Sequence, residues 1–255
     1  CLADDMGLGK TVQSIASLLE RAILGPALIV APVSVGDNWQ NEIIKFAPTL
    51  TPHLFRNLKT KENDFADWCQ PFHIIICSFG LMQQKKESLC EIPFSPIIID
   101  EAQAIKNFNT KRFEAAIKLK GDFKILTTGT PIENHLMELW SLFFFINPGL
   151  LGTKNQFMDK FFTPIHKNKD ANAQKYLKQI IQPFVLRRLK KNVLTELPEK
   201  IEINRYVEMS EEEVTFYESI RQLGIEKIET ATENGGHQAL QVLAEITKLR
   251  RACCH

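Results

Sequence analysis

Residues 4–11 read DDMGLGKT. Two glycines one residue apart, followed by a lysine and a hydroxyl, are the parts of a polyphosphate cradle. Gly7 and Gly9 let the backbone approach an anion and adopt left-handed conformations that other residues resist. Amides along Asp5, Met6, Gly7, Leu8 and Gly9 then point inward, and a helix starting behind them adds its partial positive charge. Lys10 would reach the β- and γ-phosphates, and the Thr11 hydroxyl would ligate Mg2+. The full pattern carries a glycine five residues before Gly9, where this chain has Asp4. Only the G-x-G-K-T half is present, and a plain glycine turn ahead of a helix is the simpler alternative.

A second constellation stands about 90 residues on, where Ile97-Ile98-Ile99-Asp100-Glu101 sets two carboxylates behind an apolar run. Open parallel sheets bind ligands at the carboxyl ends of their strands. Asp100 is expected to hold Mg2+ through water, as the acid of a nucleotide site does. Glu101 is expected to orient and deprotonate an attacking water. Adjacent acids behind three isoleucines are costly unless a cation or solvent meets them. A third stretch, LTTGTP at 126–131, puts the hydroxyls of Thr128 and Thr130 beside Gly129 at the end of another apolar run. These residues can bond the acids and report the nucleotide state, or can simply end a strand.

Elements must hold these residues together. The runs 27–31 (ALIVA), 73–77 (HIIIC), 96–100 (PIIID) and 123–127 (FKILT) are continuous rather than alternating, as strands covered on both faces should be. Helical patterns separate them: 10–24, with Val12, Ile15, Ala16, Leu19 and Ile23 on one stripe, then 39–46 and 111–119. Strand–helix alternation implies βαβ crossovers and a parallel sheet. From about residue 134 helices take over, at 135–146, 155–162 and 171–181, with a short strand expected at 201–207. Ser210 with Glu213 forms a capping-box signature for a further helix, which Gly235-Gly236 interrupts. Trp39, Trp140 and Phe143–Phe145 read as core packing rather than base-stacking platforms.

The 255 residues, 44% hydrophobic and 24% charged, suffice for a large core. No apolar run is long enough to span a bilayer, so no membrane partner is expected. The six cysteines form no C-x-x-C pair and read as reduced thiols; a metal role for Cys253-Cys254-His255 lacks the usual spacing. Net charge is +1, yet residues 154–205 carry 12 Lys/Arg against 5 Asp/Glu. That basic block is a candidate polyanion-facing surface or a solvated charged face. The chain opens on Cys1 rather than Met and stops in a helical pattern, so further elements are expected on both sides.

The same segments carry a family resemblance. DDMGLGKTVQ resembles helicase motif I in its Swi/Snf form. APVSVGDNWQNE (31–42) resembles the motif that follows, and CSFGL (77–81) the short one after it. DEAQAIKN (100–107) is similar to the acid motif, and LTTGTPIENHLMELWSLFFFINPGLL (126–151) to the stretch around motif III. PFVLRRLKKNVLTELPEK (183–200) and KLRRACCH (248–255) resemble the segments that lead to a second lobe. DEAQ, in place of DEGH or DEAH, points toward bacterial members, and Gln103 can still hydrogen-bond across the cleft.

The resemblance to Swi/Snf-type helicase-like ATPases of superfamily two implies the fold class: α/β, a RecA-like phosphate-loop lobe on a parallel central sheet, followed by a mostly helical extension. It implies an ATP-binding lobe at 1–134, a basic helical protrusion and family-specific segment at 135–205, and a strand/helical segment leading to a second lobe at 206–255. The implied activity is ATP hydrolysis with Mg2+, driving translocation on double-stranded DNA and remodelling of protein–DNA complexes. The second lobe, in cis, would supply arginines to the transferring phosphate, so this chain alone should turn over poorly. A DNA-bound protein such as a polymerase or chromatin protein is the implied further partner. The location would be the nucleoid of a bacterium, within the cytoplasm, or the nucleus of a eukaryote. Lys106, Asn107, Arg187, Arg188, Lys190 and Lys191 are candidate nucleic-acid contacts. The four later residues serve equally as braces for the protrusion, and Lys106 and Asn107 as loop polar groups. Rival readings are an RNA helicase or restriction-type translocase, and a non-enzymatic DNA-binding or scaffold module.

Overall fold

The computed structural model describes residues 1–55, 67–129, 136–193, 196, 203–230 and 235–253. The chain divides into two compact units, Cys1–Leu197 and Pro198–His255.

In the first unit five strands form one sheet: β1 (Ala27–Ala31), β2 (Thr51–Phe55), β3 (His73–Ser78), β4 (Ile97–Ile99) and β5 (Lys124–Leu126). Their order is β2-β3-β1-β4-β5 and every pairing is parallel. Continuous apolar runs suit this arrangement because successive side chains serve opposite faces. Leu28, Val30, Ile75, Cys77, Ile97, Ile99 and Leu126 enter one core cluster. Ala27, Ile29, Ala31, Ile74, Ile76, Ile98 and Ile125 enter the other.

Helices cover both faces. α1 (Lys10–Arg21) and α2 (Gly36–Phe46) bring Ile15, Leu18, Trp39 and Ile43 to the second cluster. α3 (Phe79–Gln84), α4 (Lys86–Glu91), α5 (Lys111–Lys118) and α6 (Leu136–Ile146) supply Met82, Leu89, Phe113, Phe143 and Phe145 to the first. Side-chain caps start several of these helices: Ser78 accepts from the Leu81 amide and Thr110 from the Phe113 amide.

One expectation needs correction, and one strand went unforeseen. The buried stripe of α1 is Ile15, Leu18 and, just past its end, Ala22, whereas Val12, Leu19 and Ile23 are exposed. Both stripes have helical spacing, and the one carrying the small Ser14 and Ala22 fits closer to the sheet. β2 had no sequence signal: TPHLF is not an apolar run, and as an edge strand it tolerates Pro52 and partial exposure.

Beyond α6 come α7 (Lys154–Phe157), a π-helical stretch (Met158–Phe162), α8 (Thr163–Asn168), α9 (Ala171–Ile181) and the short α10 (Lys190–Val193). Trp140 lies in the core with its indole N–H on the Gly152 carbonyl at 3.1 Å.

The second unit holds α11 (Glu211–Thr230) and α12 (Gly235–Ala252). The Ser210–Glu213 capping box is formed, with reciprocal contacts of 2.8 and 3.3 Å. The strand expected at 201–207 is not formed over its described part: residues 203–210 are irregular, and Ile203, Tyr206 and Val207 are exposed rather than covered by a neighbouring strand. Among the described residues no helix is long and apolar enough to cross a membrane. Cys254 and His255 lie outside the described residues.

Candidate functional site at the carboxyl edge of the sheet

All five strands are parallel, so their carboxyl ends share one edge. Residues 1–5 lie against β5, with Leu2 bridged to Thr127 on one side and to Leu186 on the other. Leu2 donates to the Leu126 carbonyl at 2.7 Å and accepts from the Thr128 amide at 3.0 Å. This short stretch extends the sheet and delivers residues 5–9 to the edge where β4 delivers Asp100 and Glu101. One strand, β5, separates the two constellations, which at ordinary strand spacing is about 10 Å between strand axes.

The loop has the backbone it needs. Gly7 and Gly9 sit at φ 83 and 78, and Gly9 directly precedes α1. The Lys10 ammonium donates to the carbonyls of Asp4 and Asp5 at 2.7 and 3.2 Å, while the Gln13 amide holds the Leu8 carbonyl at 3.0 Å. Thr11 follows on the first turn of α1, and Met6 projects into solvent.

Asp100 is held by donors from three residues. Its Oδ2 accepts the Trp39 indole N–H at 2.8 Å. Its Oδ1 accepts the Glu101 amide at 3.0 Å and the Thr127 hydroxyl. Glu101 itself occupies φ 53, ψ 58, a left-handed conformation rare for a residue with a side chain. Such strain persists only where surroundings impose it; here the Ala102 amide is tied to the Thr127 carbonyl at 3.0 Å. The Gln103 amide donates to Glu101 Oε2 at 2.6 Å and its carbonyl oxygen accepts the Thr128 hydroxyl at 3.4 Å. The threonine segment therefore contacts the acids through two routes: Thr127 to Asp100, and Thr128 through Gln103 to Glu101. Gly129 ends the described part of that segment, and Thr130 lies outside it. A groove of about 370 Å3 opens beside Glu101 and Gln103, with Arg112 and Ser78 on its walls.

Sequence reasoning passed over two of these donors. The sequence places Trp39 in the core alone; it is 1% exposed and is both a core residue and a hydrogen-bond donor to Asp100. An indole N–H on a buried helix needs an acceptor, and that requirement was the available signal. Thr127 was hidden by its position inside the apolar run.

Asp4 resolves the departure from the loop pattern. It is 0% exposed, and the Arg188 guanidinium binds it at 2.6 and 3.1 Å while the Arg188 amide donates at 2.7 Å. Burial alone raises the Asp4 carboxyl; the hydrogen bonds and charge of Arg188 outweigh it and hold the carboxyl below its ordinary value. Arg188 is correspondingly raised, chiefly by the bond to Asp4. Next to it, the Lys190 amide donates to Asp5 Oδ2 at 2.9 Å. The segment around Leu186–Lys190 thus clamps the start of the loop. Arg187 and Lys191 are exposed. Lys106 pairs with Glu138 at 3.1 Å, and Asn107 caps a turn by accepting the Asn109 amide.

Fold and edge together define a phosphate-loop α/β lobe on a parallel sheet. More narrowly, the chain belongs to the SNF2-related domain family, whose model matches residues 1–255. It is 36% identical over 276 residues to the chromatin-remodeling ATPase INO80 of Schizosaccharomyces pombe, covering 100% of this chain and 17% of that protein. It is 40% identical over 263 residues to the uncharacterized ATP-dependent helicase MG018 of Mycoplasma genitalium, covering 99% of this chain and 24% of that one. Among solved structures, the Sulfolobus solfataricus SWI2/SNF2 ATPase core in complex with dsDNA aligns with a TM-score of 0.67 and 39% identity, over 99% of this chain and 53% of the other. The chain spans a quarter or less of these two curated relatives.

Proposed function

We propose that this lobe binds ATP with Mg2+ and, paired with a second lobe in cis, hydrolyses it to drive movement along double-stranded DNA. The observation that carries the reading is the convergence of the glycine loop with Lys10 and the Asp100–Glu101 pair on one sheet edge, joined through Thr127 and Thr128.

The residues suit the group. Mg2+ at phosphate sites keeps most of its waters and needs only one or two protein oxygens, which Thr11 and Asp100 provide. Among the described residues Asp100 has three hydrogen-bond donors and no cation partner. Mg2+ held there would supply positive charge against the phosphates. Lys10 shifts from the loop carbonyls to the phosphates. The amides of residues 5–9 fix the anion, and Glu101 orients and deprotonates the attacking water, with Gln103 holding its carboxylate. Thr128 and Gly129, and Thr130 by extension, carry the nucleotide state onward. Residues 135–205 would form the protrusion and 206–255 the lead to the second lobe. Arg187 and Lys191, being exposed, fit duplex phosphates better than Arg188 or Lys106, whose charges are already paired. A chromatin protein or other DNA-bound protein in the nucleoid or nucleus is the fitting load, given the relatives.

The test is phosphate release by the two-lobed protein with duplex DNA, single strands and RNA compared. Duplex DNA should stimulate most. Lys10→Ala should lose nucleotide binding, and Glu101→Gln should keep binding while losing turnover. Strongest stimulation by RNA, or DNA-stimulated turnover unaffected by both substitutions, would reject the reading. Residues 1–255 alone should bind ATP and hydrolyse it very slowly.

A further inference from the structure

The phosphate loop follows two acids, Asp4 and Asp5, which would repel a polyphosphate. Arg188 neutralises the first. Among the described residues the second receives the main-chain amide of Lys190, so the side chain of Lys190 is not consumed by that contact. That side chain turns to the loop itself. Its Nζ and Cε lie 3.4 and 3.5 Å from where a Cβ on Gly7 would stand. Gly7 thus serves twice: it adopts φ 83, and it leaves the loop surface bare where the ammonium comes down. At Gly9 nothing lies within 4 Å of the same position, so the approach is specific to Gly7.

We propose that Lys190 is a second polyphosphate-binding cation of this loop, acting with Lys10 on the terminal phosphate of a nucleoside triphosphate. The inference rests on the nucleotide reading above and changes the role that position along the chain suggested, a contact to nucleic acid. Lys10 enters from the first turn of α1. Lys190 enters from the segment that Leu2, Ala3 and Asp5 pair with, so one anion meets charge from two ends of the sequence. A compact ammonium on a flexible stem suits this job better than a guanidinium committed to a carboxylate.

The design of the contact makes the test clean. Replacing the side chain leaves the Lys190 amide on Asp5, so the loop keeps its anchor, and the residue is exposed, so the fold keeps its core. Affinities for fluorescent ATP and ADP with Mg2+, and for duplex DNA without nucleotide, are measured for the protein and for Lys190→Ala and Lys190→Arg. Lys190→Ala should weaken ATP by about tenfold, the low end for one lost charge-assisted hydrogen bond, and ADP by much less. DNA affinity and thermal unfolding should stay unchanged, and Lys190→Arg should recover most of the ATP affinity. Unchanged ATP affinity in Lys190→Ala, with tight ATP binding by the unsubstituted protein, overturns the proposal alone. A fall in DNA affinity with ATP unaffected overturns it in favour of a nucleic-acid contact. Equal losses for ATP and ADP overturn the terminal-phosphate assignment. Absence of nucleotide binding by the unsubstituted protein overturns both this inference and the reading beneath it.

Discussion

Replacing Trp39 by phenylalanine separates two jobs that one indole does at once. Trp39 is 1% exposed in the cluster between α1, α2 and the sheet, and its N–H holds Asp100 Oδ2 at 2.8 Å. Phenylalanine keeps the rotamer and most of the apolar contact but is smaller by roughly 40 Å3, which at about 24 cal/mol per Å3 of unfilled cavity is about 1 kcal/mol. The lost hydrogen bond to a carboxylate would be about 1.5–3 kcal/mol in a dry site. Asp100 is only half-buried, so water recovers part of that, and about 1 kcal/mol is the working figure. The total of about 2 kcal/mol corresponds to a fall in melting temperature of roughly 4–8 °C for a chain this size. The second job is read separately. Without the indole, Asp100 keeps, among the described residues, the Glu101 amide and the Thr127 hydroxyl, both on Oδ1, and Oδ2 loses its donor. The Mg2+ concentration for half-maximal ATP binding should then rise about tenfold, the low end for losing an outer partner of a metal ligand. Thr127→Val, acting on the other oxygen, should raise it likewise with a smaller cost in stability. Calorimetric melting and Mg2+ titration of ATP binding measure the two effects. A lower melting temperature with unchanged Mg2+ dependence would show that Trp39 only packs, and an unchanged melting temperature would refute the orphaned-acceptor reasoning.

Three further outcomes follow from the geometry. Asp4→Asn should destabilise at neutral pH and cost progressively less under acid. A carboxyl held below its ordinary value contributes stability above the ordinary carboxylate range and loses it as pH falls through the lowered pKa, so melting curves of the two proteins should converge on acidification; parallel curves would contradict the Asp4–Arg188 account. Gly9→Ala should cost about 1–2 kcal/mol from its left-handed backbone alone, because no atom within 4 Å meets the added methyl; denaturant unfolding reads this, and a near-zero change would mean the loop readjusts. Burial pushes the Cys77 thiol up to about 12, so alkylation of native protein near pH 8 should label the exposed Cys253 and spare Cys77 until unfolding; mass spectrometry of the labelled peptides decides it.

Much of the edge was legible because its chemistry is local. The spacing G-x-G-K-T marks a loop before a helix, and Asp100 and Glu101 sit directly behind a strand whose isoleucines reveal it. Helices with strong caps or periodicity, such as Ala171–Ile181, were equally plain. What escaped depended on partners distant in sequence. Nothing near Trp39 says that Asp100, 61 positions away, will need its N–H. Nothing near Asp4 announces Arg188, and a basic cluster at 187–191 reads as a surface until one member is found on a buried acid. The inward face of α1 is ambiguous in the sequence because two stripes share one period, and the sheet beneath chooses between them.

The clamp joining residues 1–5 to Leu186–Lys190 closes a circuit of 184 positions. A ribosome releases the glycine loop near the beginning of this stretch and the arginine that secures it near the end. A chain that ended before Arg188 would hold all five strands yet leave the buried Asp4 carboxylate without the guanidinium that offsets its charge.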